Sequence, residues 1–99
     1  MKTRIMLVDD NEELLANLQT YFAADGTLEV AGVATDGEQA LALFETLRPD
    51  VLVLDLVMPG IDGFEVMERI DKRGCKVLVL SALSQDTFVT KAMHLGADY

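Results

Sequence analysis

Apolar residues along this chain fall into short continuous runs separated by longer stretches in which they recur every three or four positions. The runs are Ile5 to Val8, Val30 to Ala34, Val51 to Leu54 and Val77 to Leu80. Each predicts a strand. Between them, Leu14, Leu15, Leu18, Tyr21 and Phe22 mark an amphipathic helix that Asp25-Gly26 ends. Ala40, Leu41, Leu43, Phe44 and Leu47 mark a second, opened by Asp36-Gly37 and stopped by Arg48-Pro49-Asp50, because proline cannot continue a helix. Phe64, Val66, Met67 and Ile70 predict a third helix that Gly74 closes. Phe88, Val89, Ala92, Met93 and Leu95 predict a fourth, stopping at Gly96. Strands alternating with helices predict an α/β fold, a doubly wound parallel sheet with right-handed crossovers. Val51 to Leu54 carries no polar residue, as a strand covered on both faces should.

Polar chemistry collects where the predicted strands end. Asp9 and Asp10 follow the first strand, Asp55 the third and Ser81 the fourth. In open parallel sheets, ligands bind beyond the carboxyl ends of the strands, where the winding direction reverses. If the first and third strands are neighbours, three carboxylates share one cleft with a hydroxyl at its edge. Such charges repel by about 4 kcal/mol per pair at 4 Å for an effective dielectric of 20. A divalent cation relieves that repulsion, and oxygen-only ligands suit Mg²⁺ or Mn²⁺ better than zinc. A carboxylate beside such an ion can attack a phosphoryl group. Each residue also has a plainer reading. Asp10 with Glu13 fits a capping box, Asp55 fits a strand-end turn, Asp62-Gly63 fits turn chemistry, and Ser84 fits a helix cap. Cys75 and His94 have no partner at ligand spacing and are read as structural or solvent-facing.

Composition narrows the class. The 99 residues hold one domain, 1–99, and a hydrophobic share of 51% is enough for a core without staples. A net charge of −9 opposes direct contact with nucleic acid or anionic membranes, so any DNA contact would belong to another domain. The single cysteine fits a reducing, cytoplasmic setting. No apolar run approaches the roughly 20 residues of a membrane span, and the N-terminal run is too short for a signal peptide.

Taken together, Val8-Asp9-Asp10-Asn11, Asp55-Leu56-Val57-Met58-Pro59-Gly60-Ile61-Asp62-Gly63, Leu80-Ser81-Ala82 and Gly96-Ala97-Asp98 resemble the successive signatures of response-regulator receiver domains. The resemblance implies a flavodoxin-like sheet of order 2-1-3-4-5. By it, Asp55 is the phospho-acceptor, Asp9, Asp10, Asp55 and the Val57 backbone carbonyl hold Mg²⁺, and the Ser81 hydroxyl senses the phosphoryl group. Implied partners are a histidine kinase or histidine phosphotransfer protein and an attached output domain, with the chain catalysing its own phosphorylation. More narrowly, Asp10-Asn11-Glu12-Glu13, Val51 to Asp55 and Ser81 to Gly96 are similar to the receivers of sporulation transcription regulators, although Gly60 stands where histidine is expected there. A Mg²⁺-dependent phosphohydrolase would need a general-acid aspartate two residues after the nucleophile, where Val57 stands. A partner-binding pseudo-receiver is disfavoured by the intact acidic set.

Relative to the family pattern, the fifth strand with its aromatic and Lys-Pro pair, and the fifth helix, are missing after Tyr99. The edge of the fourth strand, Val77 to Leu80, is therefore expected to be uncovered and prone to dimerisation or strand exchange. Val57 and Leu83, which flank the phosphoryl group by resemblance, are both apolar. They predict slow loss of that group, because neither can hydrogen-bond an attacking water.

Overall fold

The structure is a computed structural model and describes residues 2–71, 74–80 and 95–98. Its elements run β1 (Thr3–Val8), α1 (Glu12–Ala23), β2 (Leu28–Ala34), α2 (Gly37–Leu47), β3 (Val51–Asp55), α3 (Gly63–Arg69) and β4 (Lys76–Leu80). All strand pairs are parallel, in the order β2-β1-β3-β4. The order matches the first four strands of the expected flavodoxin-like sheet. Winding runs outward from β1 to β2 and then back across it to β3, so the reversal falls between β1 and β3.

Alternation along the central strands sends side chains into two cores. Met6 and Val8 of β1 and Leu52 and Leu54 of β3 face Ala40 and Phe44 of α2 and Val66 and Met67 of α3. Ile5, Leu7 and Val53 point the other way, onto Leu15, Leu18 and Phe22 of α1. Both faces are covered, which is why β3 can be apolar from Val51 to Leu54. Met6, Leu7, Leu52 and Leu54 are among the largest fully buried side chains, each worth about 1.5–3 kcal/mol relative to exposure.

Several boundaries differ from the sequence pattern. Strands start early, at Thr3, Leu28 and Lys76, because edge and terminal positions pair through backbone whatever their side chains. α3 stops at Arg69, where Ile70 turns extended (φ −78, ψ 148) and packs half-buried on the core, so Gly74 belongs to a later turn. Tyr21 lies at the margin of the α1 stripe and is 73% exposed, its ring edge-on to Phe22 at 5.6 Å. α2 does end at Arg48, which adopts a left-handed conformation (φ 47) ahead of Pro49 and stacks over the Phe44 ring at 5.4 Å. The β4 edge is not bare at Val77: its N–H donates to the Asp98 carboxylate and its carbonyl accepts the Asp98 N–H, both at 2.8 Å. The expected fourth helix, with Phe88, Val89, Ala92, Met93 and His94, lies outside the described residues; Leu95 packs on the α2/α3 core.

Candidate functional site

β1 and β3 deliver their terminal carboxylates side by side. Val8 pairs with Leu54, so Asp9 and Asp55 leave adjacent strands at the same level. Asp9 is 6% exposed, Asp55 half-buried and Asp10 exposed. Each offers an oxygen, and all three oxygens lie within 4.8 Å of one another. The plainer reading of Asp10 fails. α1 starts at Glu12, which moves its N-cap to Asn11, whose side chain accepts the Leu14 N–H at 3.1 Å. Asp10 is thereby left to the cleft. Asp9 is aimed by its own turn, accepting the Asn11 N–H at 2.9 Å, and Asp55 accepts the Val57 N–H at 3.1 Å.

Burial raises the Asp55 pKa from 3.8 to about 6, against the lowering effect of the Val57 N–H and with the Asp9 and Asp10 charges adding to the rise. An acid so raised in a cleft is poised to exchange its proton for a cation. The donor set, carboxylate oxygens with no histidine or thiolate among them, fits a hard divalent ion such as Mg²⁺. Leu14 and Leu18 of α1 and Leu80 of β4 form an apolar wall beside these acids.

The loop after Asp55 is held from behind. Asp62 caps α3, accepting the Glu65 N–H at 3.0 Å, and the Gly63 N–H donates to the Leu56 carbonyl at 3.1 Å. A Cβ on Gly63 would stand 2.3 Å from the Asp55 carbonyl oxygen, so only glycine lets α3 back onto the Asp55 peptide. Reading Asp62-Gly63 as a turn missed this. The signal was present, since Asp62 followed by Glu65 is a capping-box pattern. Asn11 was likewise available as a cap type favoured as strongly as Asp. Ser81, Leu83 and Ser84 lie outside the described residues.

Residues 5–99 match the family model for the response regulator receiver domain. The chain belongs to the response regulator receiver domain family. Similar solved structures agree. The signal receiver domain of the putative response regulator NarL from Mycobacterium tuberculosis is 33% identical, with a TM-score of 0.90 over 97% of this chain and 79% of that one. A DNA-binding response regulator of the LuxR family from Staphylococcus aureus is 26% identical, with a TM-score of 0.88 over 97% and 82%. CheY of Borrelia burgdorferi, solved as a CheX-CheY-BeF₃-Mg²⁺ complex, is 25% identical, with a TM-score of 0.89 over 96% and 73%. Receiver domains are generally signalling domains that bind Mg²⁺ at an acidic pocket, and here Asp9, Asp10 and Asp55 form an acidic cluster that could hold a metal ion. Among the described residues, no helix of this receiver is long and apolar enough to cross a membrane.

Proposed function

We propose that this receiver is a cytoplasmic phosphorylation switch in which Asp55 accepts a phosphoryl group from the phosphohistidine of a histidine kinase or histidine phosphotransfer protein, with Mg²⁺ required. The observation that carries the reading is the convergence of the Asp9, Asp10 and Asp55 oxygens within 4.8 Å at the end of the β1/β3 pair. With one Asp55 oxygen held by the Val57 N–H, the other is the nucleophile. It attacks phosphorus, the P–N bond to the imidazole breaks, and its electron pair returns to the ring nitrogen. An acyl phosphate remains on Asp55. Asp9, Asp10, Asp55 and the Val57 carbonyl would hold Mg²⁺, which when bound neutralises the crowded carboxylates and charge on the transferring oxygens. The chain is an acceptor that catalyses its own modification rather than a turnover enzyme.

In this reading Ser81 supplies the hydroxyl that senses the phosphoryl group. The output is an attached domain, and the LuxR-family DNA-binding neighbour favours transcription control. A charge of −9 on this chain leaves DNA contact to that other domain. The beryllofluoride and Mg²⁺ in the CheY complex support the acceptor chemistry by likeness. The sporulation-type assignment rests on the quoted sequence strings alone and is the narrower form of the same proposal.

The deciding experiment is incubation with Mg²⁺ and a labelled small acyl-phosphate or phosphohistidine-protein donor. Label that is stable in acid, released by hydroxylamine and lost in Asp55→Asn is the expected result. Undiminished label in Asp55→Asn removes the acceptor assignment, and no label on the parent from either donor favours a partner-binding pseudo-receiver.

A further inference from the structure

The acceptor loop, residues 56–62, touches the rest of the molecule at a second glycine, well away from the carboxylates in sequence. Gly37 is the first residue of α2, directly after its cap Asp36, and is buried. A Cβ built on it would lie 2.2 Å from the Ile61 carbonyl oxygen, 2.6 Å from Ile61 Cβ and 2.7 Å from Ile61 Cγ2. The nearest of these is backbone, so no rotamer change of Ile61 could make room. Nor does the local conformation call for glycine, because positive φ among the described glycines occurs at Gly60, Gly74 and Gly96 and not here. What demands glycine at position 37 is the approach of the loop.

That contact completes a set of restraints. Leu56 and Met58 are buried in the α2/α3 core, the Gly63 N–H holds the Leu56 carbonyl, and Ile61 sits against α2. Between these points Val57, Pro59 and Gly60 are exposed. Val57 follows Asp55 by two residues and donates to its carboxylate. Ile61 against α2 is therefore one of the points that fix where the loop lies, together with Leu56 and Met58.

We infer that Gly37 is a positioning residue for the phosphoryl-acceptor site, setting through Ile61 where the loop presents the Val57 carbonyl and N–H. The inference rests on the acceptor reading above and adds to it a determinant on a different helix. A Cβ at position 37 pushes the Ile61 backbone outward, and the loop moves with it while the three carboxylates keep their strand-end places. The site then holds Mg²⁺ less tightly without losing its nucleophile.

The test compares the 99-residue parent with Gly37→Ala and Ile61→Ala. Mg²⁺ affinity is measured by titration calorimetry under conditions where circular dichroism reports each protein folded, and Asp55 labelling from a small acyl-phosphate donor is followed against Mg²⁺ concentration. Gly37→Ala is expected to weaken Mg²⁺ roughly tenfold, the low end of what loss of an outer-shell support costs a metal site. Its labelling rate should return to within about twofold of the parent at saturating Mg²⁺. A role confined to stability would lower the melting temperature and leave the affinity of the folded protein alone. A folded Gly37→Ala with parental Mg²⁺ affinity overturns the inference. If that variant does not fold, Ile61→Ala decides: about threefold weaker Mg²⁺ is expected, and unchanged affinity overturns it. A parent that neither binds Mg²⁺ nor takes label on Asp55 overturns the acceptor reading itself, and this inference with it.

Discussion

The two ends of the β-sheet are built on opposite electrostatic terms. At the amino ends of the strands, charged groups are matched to partners. The Arg4 N–H donates to the Asp50 carboxylate and the Arg4 carbonyl accepts the Asp50 N–H, at 2.8 and 2.9 Å. The Arg4 guanidinium donates to the Leu47 carbonyl at 2.6 Å and the Arg48 carbonyl at 3.3 Å, where α2 leaves its last carbonyls without helical partners. The Arg48 guanidinium donates in turn to the Asp71 carbonyl at 3.1 Å, and the Asp50 carbonyl accepts the Lys76 N–H at 2.9 Å. At the carboxyl ends, three carboxylates crowd together, and burial, helped by the Asp9 and Asp10 charges, holds the Asp55 proton up to about pH 6. The difference separates two uses of charge. At one end hydrogen bonds from charged side chains tie helix, strands and turns together, whereas at the other three carboxylates lie within 4.8 Å of one another, an arrangement that suits a bound cation.

The contrast can be broken most directly at Asp10. Asp10→Asn should weaken Mg²⁺ by about tenfold or more, since a lost carboxylate ligand costs at least what a lost outer-shell partner does, and should block labelling of Asp55. Calorimetry that finds parental Mg²⁺ affinity in this variant would mean the metal site is elsewhere. At the other end, Arg4→Ala should cost about 1–2 kcal/mol of stability. Hydrogen bonds from a charged donor contribute about 1.5–3 kcal/mol, and partial exposure takes the value to the low side. That corresponds to a melting point several degrees lower, with Mg²⁺ affinity unchanged. A variant that melts normally but binds Mg²⁺ poorly would reverse the division of labour between the two ends.

Smaller effects sharpen the same contrast. Because the folded-state pKa of Asp55 lies above 3.8, its contribution to the metal-free fold is fully present below that value and is lost as pH rises through about 6. Asp55→Asn should flatten this part of the stability profile and leave the metal-free protein slightly more stable at pH 7, a gain that melting curves between pH 4 and 8 would detect. In the parent, protons compete with Mg²⁺ for Asp55, so apparent affinity should fall below pH 6. An Asp55→Asn variant less stable than the parent at pH 7 without metal would count against burial, with the Asp9 and Asp10 charges adding to it, as the source of the shift. Least in energy is Val57→Asn. Val57 is 56% exposed beside the acceptor and offers an approaching water no hydrogen bond, so asparagine there should shorten the acyl-phosphate lifetime a few-fold. Loss of label over time checks it, and adding Leu83→Glu should shorten the lifetime further.

The sequence made the two ends unequally visible. The carboxylate end could be read because its residues sit at the ends of apolar runs, where a strand must stop, and because parallel winding brings the ends of β1 and β3 together. Asp9, Asp10 and Asp55 needed only that topology. The amino end was missed entirely. Arg4, Asp50 and Arg48 look like ordinary surface charges until strand register sets Arg4 beside Asp50, 46 positions away. The two packing glycines were hidden for a related reason. Gly37 and Gly63 follow cap residues and read as turn or helix-start chemistry, whereas what they permit is an approach by Ile61 and Asp55 that no local pattern encodes. Helix ends went wrong where burial overrode punctuation, as at Ile70, which leaves α3 in favour of the core well before Gly74.

The bond pair between Asp98 and Val77 has a kinetic meaning. It joins residues 21 positions apart at the outer edge of β4, with one carboxylate and one amide standing in for a neighbouring strand. The two bonds lie outside the β1–β3 ladder, so the clasp's opening does not itself break the pairing of the central strands. Each opening exposes the Val77 amide to solvent. Its hydrogen-exchange rate is then a clock for the clasp, separate from the slower exchange of Met6 or Leu52 at the centre of the sheet, which waits for larger unfolding. Comparing those rates with and without a phosphoryl mimic on Asp55 would read, from a single backbone proton, how far a change at the carboxylate end travels across the sheet.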